Sequence, residues 1–229
     1  MESDWKVYLP EFVYGGIDGS ITTFAVVAGA AGANLDSKIV IILGFANLIA
    51  DGFSMSVGSY LSHKSEKHNW EKLHKLEWKE VNENPEEGIE EIKLIYRKKG
   101  FTGPLLENIV RQITSDKKIW VDTMMKEELE MLPNVKSPVS IGVTTFFSFF
   151  AIGLIPLLFY VWDMIRPLPF STFHGSAFLT LAAFCAIGFL KGYVTETSKM
   201  RSVVETLFLG TIAAALAYFV GNILEIVFD

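Results

Sequence analysis

The chain has very little cysteine and no sign of a cleavable leader. Cys185 is the single cysteine among 229 residues, so an intramolecular disulfide is excluded. Its position within an apolar segment predicts a small buried side chain. The first residues, MESDWKVYLPEF, show no basic start followed by an apolar run and a small-residue cleavage site, so we expect no signal peptide. Internal repeats and low-complexity tracts are also absent from the sequence.

Apolar residues are abundant and are gathered into long runs. Half of the residues are hydrophobic, and the mean hydropathy is +0.34, above what a soluble domain of this size needs for its core. Runs of about 20 mostly apolar residues are long enough to cross a hydrocarbon layer of about 30 Å. Such runs occupy 12–33, 38–62, 139–162, 174–195 and 202–227. We therefore predict an all-α membrane protein with five transmembrane helices.

Charged residues are concentrated in an insert between the second and third spans, residues 63–137. It holds 14 of the 20 Lys and Arg residues and 15 of the 26 Asp and Glu residues, which predicts a water-facing unit. The chain then divides into 1–62, 63–137 and 138–229. Several lysines of the insert lie close to span ends, where the positive-inside rule applies. We therefore predict a multi-pass protein whose N-terminus and insert are cytosolic.

The insert has the pattern of a small helical bundle. The second span has no strong stop signal, which predicts one helix running on to about Val81. Asn84 and Pro85 mark the next helix start and Gly100 its end. A short helix over 104–114 follows. The last is predicted to start at Ser115, with Asp116 in its first turn, and to end before Pro133.

Acidic residues occupy inward positions of these predicted helices. Glu77, Glu80 and Glu128 fall on seams with a 3-4-3 spacing, where leucines are expected. Glu87 and Glu91 lie one turn apart beside an apolar stripe. Inward carboxylates on neighbouring helices repel one another unless lysines or a bound cation neutralise them, so a salt-bridged surface and a metal site are both open. Met124 shares a seam with Glu128, and its thioether favours a softer transition metal.

Two acids lie within the apolar spans. Asn47, Asp51 and Met55 follow one another at intervals of four residues and share one stripe of the second span, while Asp18 lies in the first span. A central Asp costs about 2.5–3.5 kcal/mol on insertion scales and usually faces a bundle interior or an ion path. The alternatives are a helix cap for Asp18 and a buried hydrogen bond to Ser or Thr for Asp51.

Small residues recur every four positions along the first span. Ala25, Gly29 and Ala33 form one such series, and Ala28 and Gly32 form another. This small-xxx-small pattern is typical of close helix contacts. The contact is either internal to the chain or part of a homodimer.

Several stretches together resemble one protein family. They are IDGSITTFA, ADGFSMSVGSYLSHKSE, WVDTMMKEELE, GFLKGY and RSVVETLFLG. In this order they resemble the vacuolar iron transporter (VIT) family, and the similarity covers essentially the whole chain.

The resemblance implies a five-span homodimer that is not an enzyme. Such a protein moves Fe²⁺, and also Mn²⁺, Co²⁺ or Zn²⁺, out of the cytosol in exchange for protons. It implies metal ions, protons and membrane lipid as partners, with no nucleic acid. The membrane is the cell membrane in a prokaryote and the vacuolar membrane in a eukaryote.

The resemblance also implies roles for named residues. Asp18 and Met55 belong to a path between the first two spans of both subunits, and the insert ligands are Glu77, Glu80, Glu91, Met124 and Glu128. This chain departs from the family pattern in two places. Asn47 stands where plant-type members have a glutamate, with Asp51 one turn further on. Gly88 stands at another glutamate position, for which Glu87 or Glu90 is the substitute.

Two other functions remain open at this point. Glu71-Lys-Leu-His74 matches the Glu-x-x-His ligand motif of di-iron bundles, which suggests a membrane-tethered ferroxidase. That class needs the motif twice, and the sequence has no second copy. A membrane scaffold with a partner-binding insert is the remaining alternative, and it predicts no stabilisation of the insert by divalent ions.

Overall fold

The computed structural model describes residues 4–133, 136–167, 169 and 171–228. Within these ranges the chain is helical, with no strand. Single 3₁₀ turns lie at Asp4–Tyr8 and Ile155–Leu157. The α-helices are α1 (Leu9–Gly32), α2 (Ser37–Glu83), α3 (Pro85–Lys98), α4 (Gly103–Thr114), α5 (Lys117–Glu127), α6 (Pro138–Gly153), α7 (Leu158–Ile165), α8 (Thr172–Val194) and α9 (Lys199–Phe228).

Among the described residues, five helical segments are long and apolar enough to cross a membrane, which confirms the predicted number. They are Lys6–Gly32, Ser37–Glu83, Pro138–Ile165, Thr172–Val194 and Lys199–Phe228. The second is a single helix of 47 residues, about 70 Å long at 1.5 Å per residue. That length is more than twice a hydrocarbon layer, so only its apolar first half is suited to lipid. The helix ends at Glu83, close to the predicted end near Val81.

The third span is interrupted. α6 ends at Gly153, a 3₁₀ turn contains Pro156, and α7 resumes at Leu158. Proline has no N–H to give to the helical ladder, which explains the break. The Ser176 hydroxyl of α8 donates to the Pro156 carbonyl at 2.5 Å, so a neighbouring helix satisfies this backbone group within the apolar unit.

The chain forms two compact units. The membrane unit comprises residues 1–61 and 136–229, and the insert unit comprises residues 62–135. In the membrane unit α1 packs against α6, α8 and α9. In the insert unit α3 packs on α4, and α4 packs on α5. The hydrophobic core of the insert unit is built from Val81, Ile92, Leu106, Val110, Ile113, Trp120, Val121, Met124 and Met125.

The small residues of α1 are used inside the chain. A Cβ at Gly32 would overlap the Tyr218 carbonyl of α9, and a Cβ at Gly221 would overlap the Gly29 carbonyl. On another side of α1, a Cβ at Gly19 would overlap the Phe149 carbonyl of α6. The small-xxx-small series that contains Gly29 therefore serves an internal helix contact.

Two local expectations were wrong. Cys185 is exposed, because it lies on a face of α8 whose large apolar side chains, such as Phe178 and Phe189, are exposed too. Asp116 precedes α5 as its cap, accepting hydrogen bonds from the backbone N–H groups of Lys118 and Ile119 at 2.8 and 3.3 Å. The predicted end of this helix before Pro133 is confirmed, because α5 ends at Glu127.

Candidate metal sites

Asp18 lies in the middle of α1, nine residues after the helix begins at Leu9. The helix-cap alternative is therefore wrong. Its side chain is half-buried, and the charge of Asp51 acts on its carboxylate. The first two spans thus bring their acids within electrostatic range of each other.

The stripe of α2 that carries Asp51 borders the buried face of this helix. Gly52 is buried, with the Phe149 ring 3.1 Å from the position of a Cβ, while the Ser56 hydroxyl donates to the Gly142 carbonyl at 2.8 Å. Met55 is partly buried against the hydrophobic core. Asp51 itself is exposed on the single chain. A buried hydrogen bond therefore does not account for Asp51, and its carboxylate is accessible from outside the chain.

Asn47 lies one turn before Asp51 and has an unusual environment. Its residue surface is half-buried, and its Nδ2 atom is buried with no hydrogen-bond partner among the described residues. A buried amide donor without a partner costs about 1–3 kcal/mol. The described residues therefore give no packing or hydrogen-bonding reason for an amide side chain at position 47 of this apolar helix.

The insert unit brings acids from three helical segments towards one another. Glu77 of α2 is buried, with 8% of its surface exposed, and Met124 of α5 is buried as well, at 2%. Glu80 and Glu91 are half-buried, and Glu128 is exposed directly after the end of α5. α2, α3 and α5 all contribute side chains to the core of the insert unit, so the acids on these three segments lie around one core.

The pKa values of these acids show that they repel one another. Partial burial, with the charges of Glu128, Glu80, Glu87 and Glu77, raises the pKa of Glu91 to about 7. Burial, followed by the charges of Glu128 and Glu80, raises the pKa of Glu77 above its ordinary range. Burial and the Glu80 charge also raise the pKa of Glu128. A divalent cation among these carboxylates would remove this repulsion.

Carboxylates act on one another electrostatically at distances longer than those at which they can bind the same metal ion. Among the described residues, no three His, Cys, Asp or Glu side chains converge in a geometry ready to hold a metal ion. Glutamate side chains have three rotatable bonds, so carboxylates that share one surface can converge by changing rotamers. The backbone therefore determines which carboxylates are neighbours, and rotamers determine whether they coordinate.

Glu87 and Glu90, the two candidates to replace the family glutamate at the position of Gly88, act on different groups in the structure. Glu87 acts electrostatically on Glu91, which belongs to the acidic cluster. Glu90 acts instead on Lys93, whose ammonium lies 2.6 Å from Glu107 Oε1 of α4. Both glutamates are exposed, but only Glu87 is among the acids that act on the cluster.

Two further acids near these sites, Glu127 and Glu11, were not predicted from the sequence as candidate site residues. Glu127 pairs with Lys99 beside Glu91 and Glu128, and its hydrogen bond to Lys99 lowers its pKa. Glu11, near the start of α1, accepts from Lys136 Nζ at 2.8 Å through Oε1. Its buried Oε2 atom has no partner among the described residues. The one sequence feature that pointed to Glu11 was its position directly before the predicted first span, in the first turn of α1.

The Glu-x-x-His motif does not form a di-iron ligand pair. Glu71 lies 4.0 Å from Lys67. His74 stacks on Trp70 with ring centroids 4.6 Å apart, and its Nε2 atom lies 3.9 Å from Asp122 Oδ1. The two residues of the motif therefore engage different partners.

The part of the chain that the structure describes has five apolar helices, and an acid of the second acts electrostatically on an acid of the first. This is the architecture of a multi-pass membrane protein that handles cations. The class is a membrane transporter of metal ions, and the protein is not an enzyme. The chain belongs to the VIT family, whose model matches residues 9–222.

Curated relatives are similar over most of their length. Vacuolar iron transporter 1 of Arabidopsis thaliana is 32% identical over 94% of this chain and 85% of the relative. The vacuolar iron transporter of Centaurea cyanus is 32% identical over 91% of this chain and 84% of the relative. The vacuolar iron transporter of Toxoplasma gondii is 33% identical over 96% of this chain and 75% of the relative. These matches confirm the resemblance seen in the sequence.

Proposed function

We propose that this protein moves Fe²⁺ out of the cytosol in exchange for protons, and that Mn²⁺, Co²⁺ or Zn²⁺ can substitute for Fe²⁺. The relatives are named as iron transporters, which supports iron as the main substrate. The observation that carries the proposal is that the charge of Asp51 on α2 acts on the Asp18 carboxylate of α1. Acids that act on each other at membrane depth are costly unless a cation or a proton neutralises them.

The transport path that we propose uses four side chains. Asp18 and Asp51 bind the ion through carboxylate oxygens, Asn47 adds an amide oxygen, and the Met55 thioether favours Fe²⁺ over Mg²⁺ or Ca²⁺. Metal ligands must be deprotonated, so each carboxylate holds either a proton or the metal ion. A site that opens to each side of the membrane in turn then exchanges one for the other.

We propose that the path is completed by a homodimer. Asp51 is exposed on a single chain, although its helix is apolar enough to cross a membrane. A carboxylate that faces lipid at this depth is strongly unfavourable, so a second copy covering this face of α2 would remove the cost. It would also bring two Asp51 side chains to one path.

We further propose that the insert is cytosolic and collects metal for the path. Its ligands would be Glu77, Glu80, Glu91, Met124 and Glu128, with Glu87 at the position left open by Gly88. The mutual repulsion of these acids supports this role, because a divalent ion is the partner that relieves it. Glu90, whose charge acts on Lys93, has less support as a ligand.

The proposal is tested by Fe²⁺ uptake into proteoliposomes under a proton gradient and without oxygen. We expect Asp18→Ala and Asp51→Ala to reduce uptake to the level of protein-free liposomes. Glu83→Ala is the matched control, because it removes an exposed carboxylate at the far end of the same helix as Asp51. Parent-like uptake by both aspartate variants would exclude the proposed path.

A double substitution tests whether Asp51 supplies the path carboxylate that plant-type family members have at the position of Asn47. Asn47→Glu in the Asp51→Ala background moves the carboxylate one turn back along the same stripe. We expect it to restore part of the lost uptake, because the negative charge stays on the path. Complete absence of rescue, with protein still folded in the membrane, would show that the position of the carboxylate on α2 is not interchangeable.

A further inference from the structure

Two adjacent glutamates at the end of α5 have different partners. Glu127 and Glu128 both line a cavity of about 360 Å³ in the insert unit, together with Glu91. Glu128 is repelled by Glu80, whereas Glu127 is paired with a lysine. Only one of the two neighbours therefore belongs to the mutually repelling acids.

Lys99 is the lysine that makes this difference. It directly follows α3, its Nζ atom donates to Glu127 Oε2, and the same atom lies 5.1 Å from the centroid of the Tyr96 ring. The Lys99 side chain is 40% exposed and that of Glu127 is 23% exposed. The ammonium is thus held at the cavity wall by an ion pair and an aromatic face.

A fixed ammonium in this wall opposes the entry of another cation. The cavity is lined by three carboxylates, on Glu91, Glu127 and Glu128, and by two lysines, Lys98 and Lys99. The Lys99 charge reduces the negative potential that a divalent ion would meet there. Its ion pair also occupies the Glu127 carboxylate, which would otherwise be one more oxygen ligand within the same cavity.

We propose that Lys99 sets the affinity of the insert for metal ions: its ammonium withholds Glu127 from the metal and competes with the incoming cation for the cavity carboxylates. This inference rests on the metal-collecting role proposed above. A domain that passes ions to a transport path has to release them, and a tethered cation that competes with the metal weakens its binding.

The test is anaerobic calorimetric titration of the full-length protein in nanodiscs with Fe²⁺, repeated in air with Co²⁺. We expect Lys99→Met to bind metal about fivefold more tightly, the order of effect of one nearby unit charge on a divalent ion at a half-exposed site. Lys99→Arg keeps the charge and should bind like the parent. Lys67→Met is the matched control, because Lys67 faces an acid one turn away on α2, at 4.0 Å, and does not line the cavity.

Glu127→Gln supplies a second test that leaves Lys99 in place. It frees the ammonium to interact with the remaining carboxylates, so binding should weaken about threefold. The double variant Lys99→Met/Glu127→Gln loses both members of the pair and should return close to the parent. This pattern differs from that of a merely structural ion pair, for which either single variant would destabilise the insert and weaken metal binding.

The outcomes separate this inference from the function on which it rests. If Glu91→Gln/Glu128→Gln binds metal as well as the parent, the proposed insert site is wrong. If that variant binds weakly and Lys99→Met binds no more tightly than the parent, the site stands and the role of Lys99 is wrong. Should Lys99→Met fail to fold, parent-like binding by Glu127→Gln would overturn the role equally.

Discussion

The two units of this protein hold their acids in opposite ways. In the insert unit the acids of one chain lie near one another, from the buried Glu77 to the exposed Glu128, and Lys99 and Lys93 pair with nearby glutamates. In the membrane unit Asp18 is half-buried, but Asp51 is exposed on the outside of the chain. The insert acids are therefore neighbours within one chain, whereas Asp51 of the membrane unit lies on the outer surface of the single chain.

The two units also pack differently. Backbone contacts at Gly19, Gly32 and Gly221 bring α1 against α6 and α9. The insert core depends instead on large side chains, such as Trp120 and Met124. Removing atoms should therefore damage the insert unit, and adding atoms should damage the membrane unit.

The largest effect is expected from Met124→Ala, because it empties a fully buried position in the insert core. Large-to-small substitutions of this kind cost about 2–5 kcal/mol in the free energy of unfolding. Hydrogen–deuterium exchange of the full-length protein should show faster exchange in peptides of the insert unit and no change in α1. Faster exchange confined to the membrane unit would contradict the idea that the insert core depends on large side chains such as Met124.

Met124→Leu sharpens that experiment. It keeps most of the packed volume and typically costs less than about 1.5 kcal/mol, but it removes the thioether. We expect the insert to remain folded and to lose part of its preference for Fe²⁺ and Co²⁺ over Mn²⁺ in metal titrations. An unchanged preference would show that Met124 serves packing alone.

A smaller effect is expected from Gly19→Ala in the membrane unit. The added Cβ overlaps the Phe149 carbonyl, so α1 and α6 have to separate, at a cost of about 1–3 kcal/mol. Gly58→Ala is the control, since nothing lies within 4 Å of its Cβ position. Thermal unfolding in detergent should be lowered by the first variant and kept or slightly raised by the second. Equal behaviour of the two would remove the argument for close backbone contact.

The smallest effect is the pH dependence of the metal-free insert. The pKa of Glu91 is raised from 4.5 to about 7, so between these values the folded state keeps a proton that the unfolded chain has released. The free energy of unfolding of the insert should therefore fall as pH rises from about 4.5 to 7. Tryptophan fluorescence during thermal unfolding, with chelator present, measures this change.

Two controls make the pH experiment specific. Glu91→Gln cannot titrate at this position, so it should flatten the dependence. Added Co²⁺ should stabilise the insert more at pH 7.5 than at pH 5.5, because metal binding requires deprotonated ligands. Greater stability of the metal-free insert at the higher pH would show that the carboxylates do not repel one another as the structure indicates.

The sequence alone determined the helices and the composition of the candidate sites. Apolar runs of span length predict five membrane segments, and the missing stop signal after Gly58 predicts the long α2, because both features are local. The start of α3 at Pro85 is equally local. Asp18, Asp51, Glu77 and Met124 are recognisable as candidates because polar or soft side chains occur there at positions otherwise suited to apolar residues.

Only the tertiary structure decided which of these residues become neighbours. The use of Gly29 inside the chain, the electrostatic contact of Asp18 with Asp51, and the exposure of Asp51 all depend on how separate helices pack against one another. The separation of Glu127 from Glu128 depends on where α5 ends and where Lys99 lies. Helical periodicity assigns a side chain to a face of its own helix, whereas its electrostatic partners come from other helices, whose positions are set by packing.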